Sequence, residues 1–330
     1  MLKYTLKRLL YSVIILIFVM FLIYVLMYNM PGGFIEQKAF ELASKPNATK
    51  SAHEWLADLK AQYGMDKGVF QGYFTWLKSA VVGNWGDSWA WTVPVTEKFS
   101  STVWYSFALG VISFVFEILI AIPLGIAAAK KQYRFTDYFT TVVSMVCISM
   151  PTFFLATVLK YVFSVKLGWF DLTGTITARY HADLTQIGKL LDIAKHFVLP
   201  TITIVIISIG SLMRYTRTNM LEVLNADYIH TARAKGVPEK KVINYHAFRN
   251  TLIPLVSILG GSLPGLFSGA LITEKEFGLI GIGNASYTSM TQADIPFTMF
   301  YLAFISILTL LGNLISDLLY AVVDPRVRLS

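Results

Sequence analysis

Six stretches of this chain are too long and too free of charge for a soluble core. Residues 9–27 are apolar or weakly polar throughout, and residues 251–273 and 295–316 carry no charged side chain. Residues 99–129 contain one charge, Glu117, residues 138–165 contain one, Lys160, and the shorter run 197–213 contains none. A bilayer core demands roughly 17–25 such residues per helix. Lipid offers the backbone no hydrogen-bond partner, so each run must satisfy its own peptide groups as a helix. Charged residues make up only 15% of the 330, against about 25% in soluble domains. The expected fold is all-α and integral to a membrane, with six transmembrane helices.

The basic residues orient these spans. With the N-terminus on the cytoplasmic side, the inner segments hold Lys3, Lys7 and Arg8, then Lys130, Lys131 and Arg134, then seven basic residues from Arg214 to Arg249, then Arg326 and Arg328. The short outer loops hold only Lys166, Arg179, Lys189, Lys195 and Lys275. This asymmetry follows the positive-inside rule, from which a long translocated segment such as 32–98 is exempt. The net charge of +8 therefore reads as topology and not as nucleic-acid binding. The first run has a basic start, as a secretory signal does. It is longer than the roughly 7–15 residue core of such a signal, and no small-x-small site follows, so it reads as a retained span. All seven tryptophans fall in outer segments or at outer helix ends, where interfacial aromatics are common. Trp55, Trp76, Trp85, Trp89 and Trp91 share one segment and point to a small packed core there. The single cysteine, Cys147, permits no intrachain disulfide and reads as a small core residue.

Three parts follow from this pattern: residues 1–31, with the cytoplasmic end and the first span; 32–98, an external helical insertion between the first and second spans; and 99–330, carrying the other five. Pro31, Gly32 and Gly33 end the first span. Helices are expected at 36–43, 52–63 and 69–82, with Ser51 and Glu54 spaced as a capping box and a turn from Gly64 to Gly68. Pro123 and Pro151 predict kinks in spans two and three, and Pro200 suits the first turn of span four. Gly261, Gly265 and Gly269 put a small-residue stripe on span five, the mark of a helix interface.

Residues 219–250 are polar, basic and wedged between two apolar runs. A connection between antiparallel helices needs only a few residues, so this length suits a docking surface. Residues 220–235 are good helix formers, and Gly236 suits a left-handed stop. Pro238 fits a first helical position, with Glu239 at the positive end of a second helix over 238–248. Two short helices meeting at Gly236 make a bent knob. Arg233, Lys235, Lys240 and Lys241 give it a basic rim, and Ala226, Ala232 and Ala234 keep it slim. Such a knob can insert into a partner's cleft. Amphipathic helices lying on lipid headgroups would share this composition.

The ordered residues Arg214-Tyr-Thr-Arg217, Met220-Leu-Glu222-Val-Leu224, Asp227-Tyr-Ile-His-Thr231-Ala232-Arg233-Ala234-Lys235-Gly236, His246-Ala-Phe-Arg249-Asn250 and Ile253-Pro254 resemble the EAA coupling loop of ABC importer permeases, in its peptide-importer form. The resemblance covers nearly the whole chain. Gln62-Tyr-Gly-Met-Asp-Lys67, Tyr73-Phe-Thr-Trp-Leu77, Gly86-Asp-Ser88 and Pro94-Val95 are similar to the external segment of the B-type permease subunit of oligopeptide and dipeptide importers. Thr273-Glu274, Phe277, Gly281-Ile-Gly283, Asp294-Ile-Pro296 and Asp324-Pro-Arg-Val-Arg328 also fit. There are departures. Gly278-Leu279-Ile280-Gly281 stands where Trp-Pro-Gly is usual, Pro238 where a capping Ser is common, and Phe248-Arg249 where general permeases carry Leu-Pro.

The resemblance implies a type I ABC importer permease fold and a pore-forming subunit that catalyses no chemistry. Its ATPase-docking surface would include Glu222, Asp227, Thr231, Ala232, Arg233, Ala234, Lys235, Gly236, Glu239 and Arg249. It implies a second, homologous permease, two ATPase subunits that bind ATP and Mg, an external peptide-binding lipoprotein and a peptide substrate. This chain itself would hold no cofactor. The expected location is a bacterial-type plasma membrane, with both termini cytoplasmic.

Other chemistry finds little footing. No Gly-x-x-x-x-Gly-Lys-Ser/Thr run supports nucleotide binding. His53-Glu54 opens like a zinc-protease motif, but residue 57 is Ala, and the five His are scattered, so no metal site is expected. Gly260-Gly-Ser262 is like an intramembrane serine-protease signature, but no span supplies a histidine base. Asn47-Ala-Thr49 is a common chance triplet. Lys160 and Asp317 lie near span ends and can snorkel. Glu117 is too deep for that and must face a helix neighbour or the pore. Nickel or another small solute remains an alternative cargo, and an ion-coupled secondary transporter an alternative class.

Overall fold

The computed structural model describes residues 2–29, 33–46, 48–178 and 181–323. Pro31, Gly32, Asn47, Arg179 and residues 324–328 lie outside the described residues. Among the described residues every named element is a helix, and one isolated bridge joins Asp87 and Pro94. The chain forms two compact units. One is built on Leu2–Ser101 with Ser286–Leu310, the other on Thr102–Ala285 with Leu311 onward.

In the first unit, α1 (Leu2–Tyr28) leads into α2 (Phe34–Ala43), α3 (Ala52–Gln62) and α4 (Val69–Val81). These short helices begin and end within two residues of the expected spans. The capping box forms at α3. Ser51 Oγ accepts from the Glu54 N–H, and the Glu54 carboxylate accepts from the Ser51 N–H at 2.7 Å. Those bonds hold the Glu54 carboxyl below its ordinary range.

The tryptophan-rich segment has no core to itself. Tyr24 of α1 is fully buried, and its hydroxyl donates to the Tyr63 carbonyl at 2.9 Å. Tyr73 donates to the Ile17 carbonyl at 2.7 Å, and Trp76 packs on both Tyr24 and Tyr73. Ile295, Met299 and Ala303 close the same core, with Trp55, Trp85 and Trp89 at its edge. Three short helices without a disulfide bury too little to stand alone, so they borrow the flanking spans. Asp294 ties the segment down, accepting from the Ser88 hydroxyl, from the Ala90 N–H at 3.2 Å and from the Phe297 N–H at 3.3 Å.

Along the rest of the chain run α5 (Val95–Lys130), α6 (Phe135–Ser149), α7 (Thr152–Leu159) continued by π-type turns over Lys160–Lys166, α8 (Gln186–Leu224), α9 (Asp227–Ala234), α10 (Glu239–Lys241), a π-type segment Val242–Ala247, α11 (Phe248–Ser268), α12 (Leu271–Phe277), α13 (Ile282–Thr291) and α14 (Ile295–Val323). Among the described residues, α1, α5, α8 and α14 are each long and apolar enough to cross a bilayer, and α6 with α7 passes as a pair bent by 100°. The remaining expected span falls on α11, of 21 residues, which is not among these candidates.

Three expectations need correction. Span three breaks instead of kinking, because Met150 (ψ 122°) and Pro151 (ψ 135°) are both extended. A residue before proline is sterically driven from the helical region. Pro200 is not in a first turn: α8 starts at Gln186, capped by the Thr185 hydroxyl, which accepts from the Gly188 N–H at 3.2 Å. The glycine stripe is not one continuous contact within the chain: only Gly269 is closely packed, a Cβ there lying 2.5 Å from Gly283 N. A Cβ at Gly261 or Gly265 would meet nothing within 4 Å, and Gly269 ends α11 at φ +77°. The close approaches between α11 and α14 come instead at Gly260, where a Cβ would lie 3.1 Å from Ser316 Cα, and at Gly312, 2.3 Å from Pro264 Cγ.

Candidate coupling loop and transmembrane cavity

The loop after α8 is a folded knob on an apolar seat. Met220, Ile229 and Val242 are fully buried together with Leu224, Ile243, Ala247 and Ala129. Helix does not run unbroken over 220–235. It stops at Leu224, and Ala226 is extended (ψ 147°) before α9 begins with Asp227 in its first turn. The second helix starts at Glu239 and not at Pro238, which sits just outside as its cap (ψ 137°). It then passes through the π-type turns straight into α11.

The bend at Gly236 is as expected and better made. Gly236 has φ +75°, its N–H donates to the Arg233 carbonyl at 2.9 Å, and the Val237 N–H donates to the Ala232 carbonyl at 3.2 Å. Those two bonds form a Schellman stop, and Ala232 and Val237, at its two ends, both pack on the buried seat. Across the bend the Arg233 guanidinium forks onto Glu239, with Nη2–Oε1 at 2.9 Å and Nε–Oε2 at 3.2 Å. The fork holds the Glu239 carboxyl below its ordinary range and the Arg233 guanidinium above its own.

Of the ten residues expected on the docking surface, Ala232 turns partly into the seat. Glu222, Asp227, Thr231, Arg233, Ala234, Lys235, Gly236, Glu239 and Arg249 are exposed. The Thr231 hydroxyl donates to the Asp227 carbonyl at 3.0 Å, and Arg249 lies over the Tyr245 ring at 5.9 Å.

Beneath the loop, Arg217 of α8 forks onto Asp137, in the first turn of α6, with Nη2–Oδ2 at 2.9 Å. Asp137 is buried and also accepts from the Tyr133 N–H at 3.0 Å. Sequence reading quoted Arg217 without its partner, because nothing in the order of residues pairs positions eighty apart.

Farther along α8 lies a cavity of about 620 Å³. Three helices each turn one stripe toward it: Ser106, Gly110, Ser113 and Glu117 on α5; Ile204, Ser208, Ser211 and Tyr215 on α8; Ile258, Ser262, Gly265 and Gly269 on α11. Every set steps by three or four residues, the repeat of one helix face. Glu117 thus lines the cavity, on the same stripe as Ser113.

Glu274 stands at one end of this lining and was missed as a site residue. It is 1% exposed and fully bonded, accepting from the Ser106 hydroxyl at 2.7 Å and from the N–H groups of Ala270 and Asn284 at 3.0 Å each. Gly281 makes room for it, since a Cβ there would lie 2.3 Å from Glu274 Oε2. Lys160 has a partner near the outer end of its span. It donates to the Glu276 carbonyl, and its ammonium lies 3.9 Å from the Glu276 carboxylate.

Residues 121–329 match the family described as binding-protein-dependent transport system inner membrane component, and residues 1–93 match the N-terminal membrane component of the same systems. The chain belongs to this permease family. Over 329 residues it is 34% identical to an oligopeptide transport system permease protein of Bacillus subtilis (strain 168), covering 99% of this chain and all of that one. It is 31% identical to a dipeptide transport system permease protein of Escherichia coli (strain K12) over 343 residues, and 30% identical to a glutathione transport system permease protein of Salmonella paratyphi A over 328 residues, with 99% of each chain covered in both. A permease component of this family is a membrane transport protein and not an enzyme.

Proposed function

We propose that this chain is a pore-forming subunit of an ATP-driven peptide importer, and that the knob at Gly236 receives the motion of an ATPase. The observation that carries this reading is the loop's construction. An apolar seat and a Schellman bend fix its shape, while nine of the ten expected docking residues face outward. A helix lying on headgroups would bury an apolar face in lipid; here that face is spent on the seat. The names of the similar permeases supply the cargo class.

In this reading six spans, α11 included, cross a bacterial plasma membrane with both termini inside. The chain pairs with a homologous permease, each permease seats one ATPase, and an external binding lipoprotein delivers peptide. ATP and Mg bind only in the ATPases. When these close on ATP, the two knobs draw together and the pore turns from inward-facing to outward-facing; hydrolysis resets it.

The test is uptake of radiolabelled di- to hexapeptides by the complete complex in proteoliposomes, with binding protein outside and ATP within. ATP-dependent accumulation supports the reading. An intact, ATP-hydrolysing complex that accumulates nickel or another solute but no peptide overturns the cargo. Accumulation driven by an ion gradient without ATP overturns the mechanism.

A further inference from the structure

We infer that the Glu117 carboxylate is a cation site within the cavity, taking the terminal ammonium of the peptide in transit. This rests on the peptide-import reading above and adds a recognition step to it.

Three observations converge on the site. Glu117 is the one charged residue in the cavity lining, and no hydrogen bond or ion pair holds its carboxylate among the described residues. Ser113, one helical turn away on the same stripe, is 2% exposed, and its hydroxyl is buried without a partner. A buried hydroxyl and an unpaired carboxylate are each costly in an apolar setting, and neither finds a partner among the described residues. Ser208, Ser211 and Tyr215 face the same space from α8.

The chemistry narrows the occupant. An ammonium carries three donors and no acceptor. One carboxylate with hydroxyl oxygens nearby can receive all three, and a hydrogen bond between charged partners is the strongest kind available to it. A divalent metal would need several anionic or imidazole ligands, and no group of three His, Cys, Asp or Glu side chains exists among the described residues. The remaining lining is small or apolar, with no second charge to select a side chain. The terminal ammonium is the one cation that every unmodified peptide shares, so a site for it serves cargo of any sequence. The cavity volume of about 620 Å³ lies within the roughly 300–1,000 Å³ of small-ligand sites.

The experiment compares one tripeptide with a free amino terminus and its N-acetylated form, in wild type, Glu117→Gln and Ser113→Ala complexes. Uptake is measured in proteoliposomes. Direct binding is measured by equilibrium dialysis on the purified complex without binding protein, so the binding protein's own preference does not enter. Glu117→Gln should lose about tenfold in binding and uptake of the free-amine peptide, the scale of one charged hydrogen bond, and leave the acetylated form within about twofold. Ser113→Ala should weaken the same peptide by a smaller factor. Co-purification of all subunits shows that the variants assemble. An equal loss for both peptides would mean that Glu117 holds helices together, and no loss for either would mean that it faces no cargo; each overturns the inference. A wild-type complex that imports neither peptide removes the peptide reading itself.

Discussion

Arg233 and Glu239 face each other across the bend at Gly236 and close it with a two-bond fork of 2.9 and 3.2 Å. Both side chains are exposed, so the fork contributes only about 0–1 kcal/mol. Its pH dependence has a definite sign. The Glu239 carboxyl is held below its ordinary value by the Arg233 hydrogen bonds. Its stabilisation is therefore fully present above the unfolded-state value and is lost as pH falls through the depressed one. Glu239→Gln should speed amide exchange across 233–242 slightly at pH 7. The difference from wild type should fade only as the medium is acidified past the ordinary carboxylate range, through the depressed value at which the wild-type carboxyl itself takes up a proton. A difference that grows on acidification would show that the fork is not what orders the bend.

The Schellman stop places the burden on Gly236 itself. At φ +75° a β-branched side chain is strained even with open space around it. Gly236→Val should unwind the bend, and peptide uptake should fall by about 5- to 30-fold, the effect of roughly 1–2 kcal/mol of misplaced backbone. The subunit should still reach the membrane. ATP hydrolysis should lose its stimulation by loaded binding protein, or the ATPases should fail to co-purify. Lys240→Ala, on the exposed rim, should stay close to wild type. Normal transport by Gly236→Val at normal expression would reduce the loop to a connector.

The bend was legible because Gly236, Pro238 and Glu239 are local signals, as were Ser51 and Glu54 at the capping box. The apolar runs marked helices long enough to cross a membrane for the same reason, since each depends on its own composition. What could not be read depends on partners distant in sequence. Nothing around Asp137 announces Arg217, and nothing around Gly281 announces the Glu274 carboxylate beneath it. Pro151 marked a disturbance without saying whether the helix would kink or break. The cavity stripes are visible in each helix only once three separate helices are known to face one space. The glycines of span five show the opposite failure: a clear local pattern, but with Gly261 and Gly265 open to space and the close packing one residue away at Gly260.

Sidedness can be tested at two exposed positions. Val82, just after α4, is 78% exposed, and Asn225, at the end of α8, is exposed. Cys147 is buried and can be removed as Cys147→Ser. In that background Val82→Cys should react with a membrane-impermeant maleimide in intact cells, and Asn225→Cys only after permeabilisation. Ser88, 1% exposed and bonded to Asp294, would report burial and not sidedness. Labelling of Asn225→Cys alone in intact cells would invert the topology and remove the knob from the compartment that holds ATP.

The packing around Glu274 predicts opposite behaviour for two glycines. A Cβ at Gly281 would sit 2.3 Å from Glu274 Oε2 and 2.6 Å from Ser106 Oγ. Both are buried and hydrogen-bonded to each other, so neither can step aside without leaving a polar group unpaired. Gly281→Ala should cost about 1–3 kcal/mol, as overpacking does, seen as a lower thermal denaturation midpoint of the purified subunit. Gly261→Ala meets nothing within 4 Å of its Cβ and replaces a helical glycine, so the isolated subunit should hold or raise its midpoint, by about 0.5–1 kcal/mol at most. The same variant in the full complex then reads the stripe's purpose. If Gly261 lies against the second permease, assembly should weaken although the subunit is no less stable. If assembly is unchanged, the glycine stripe of span five is not a helix interface.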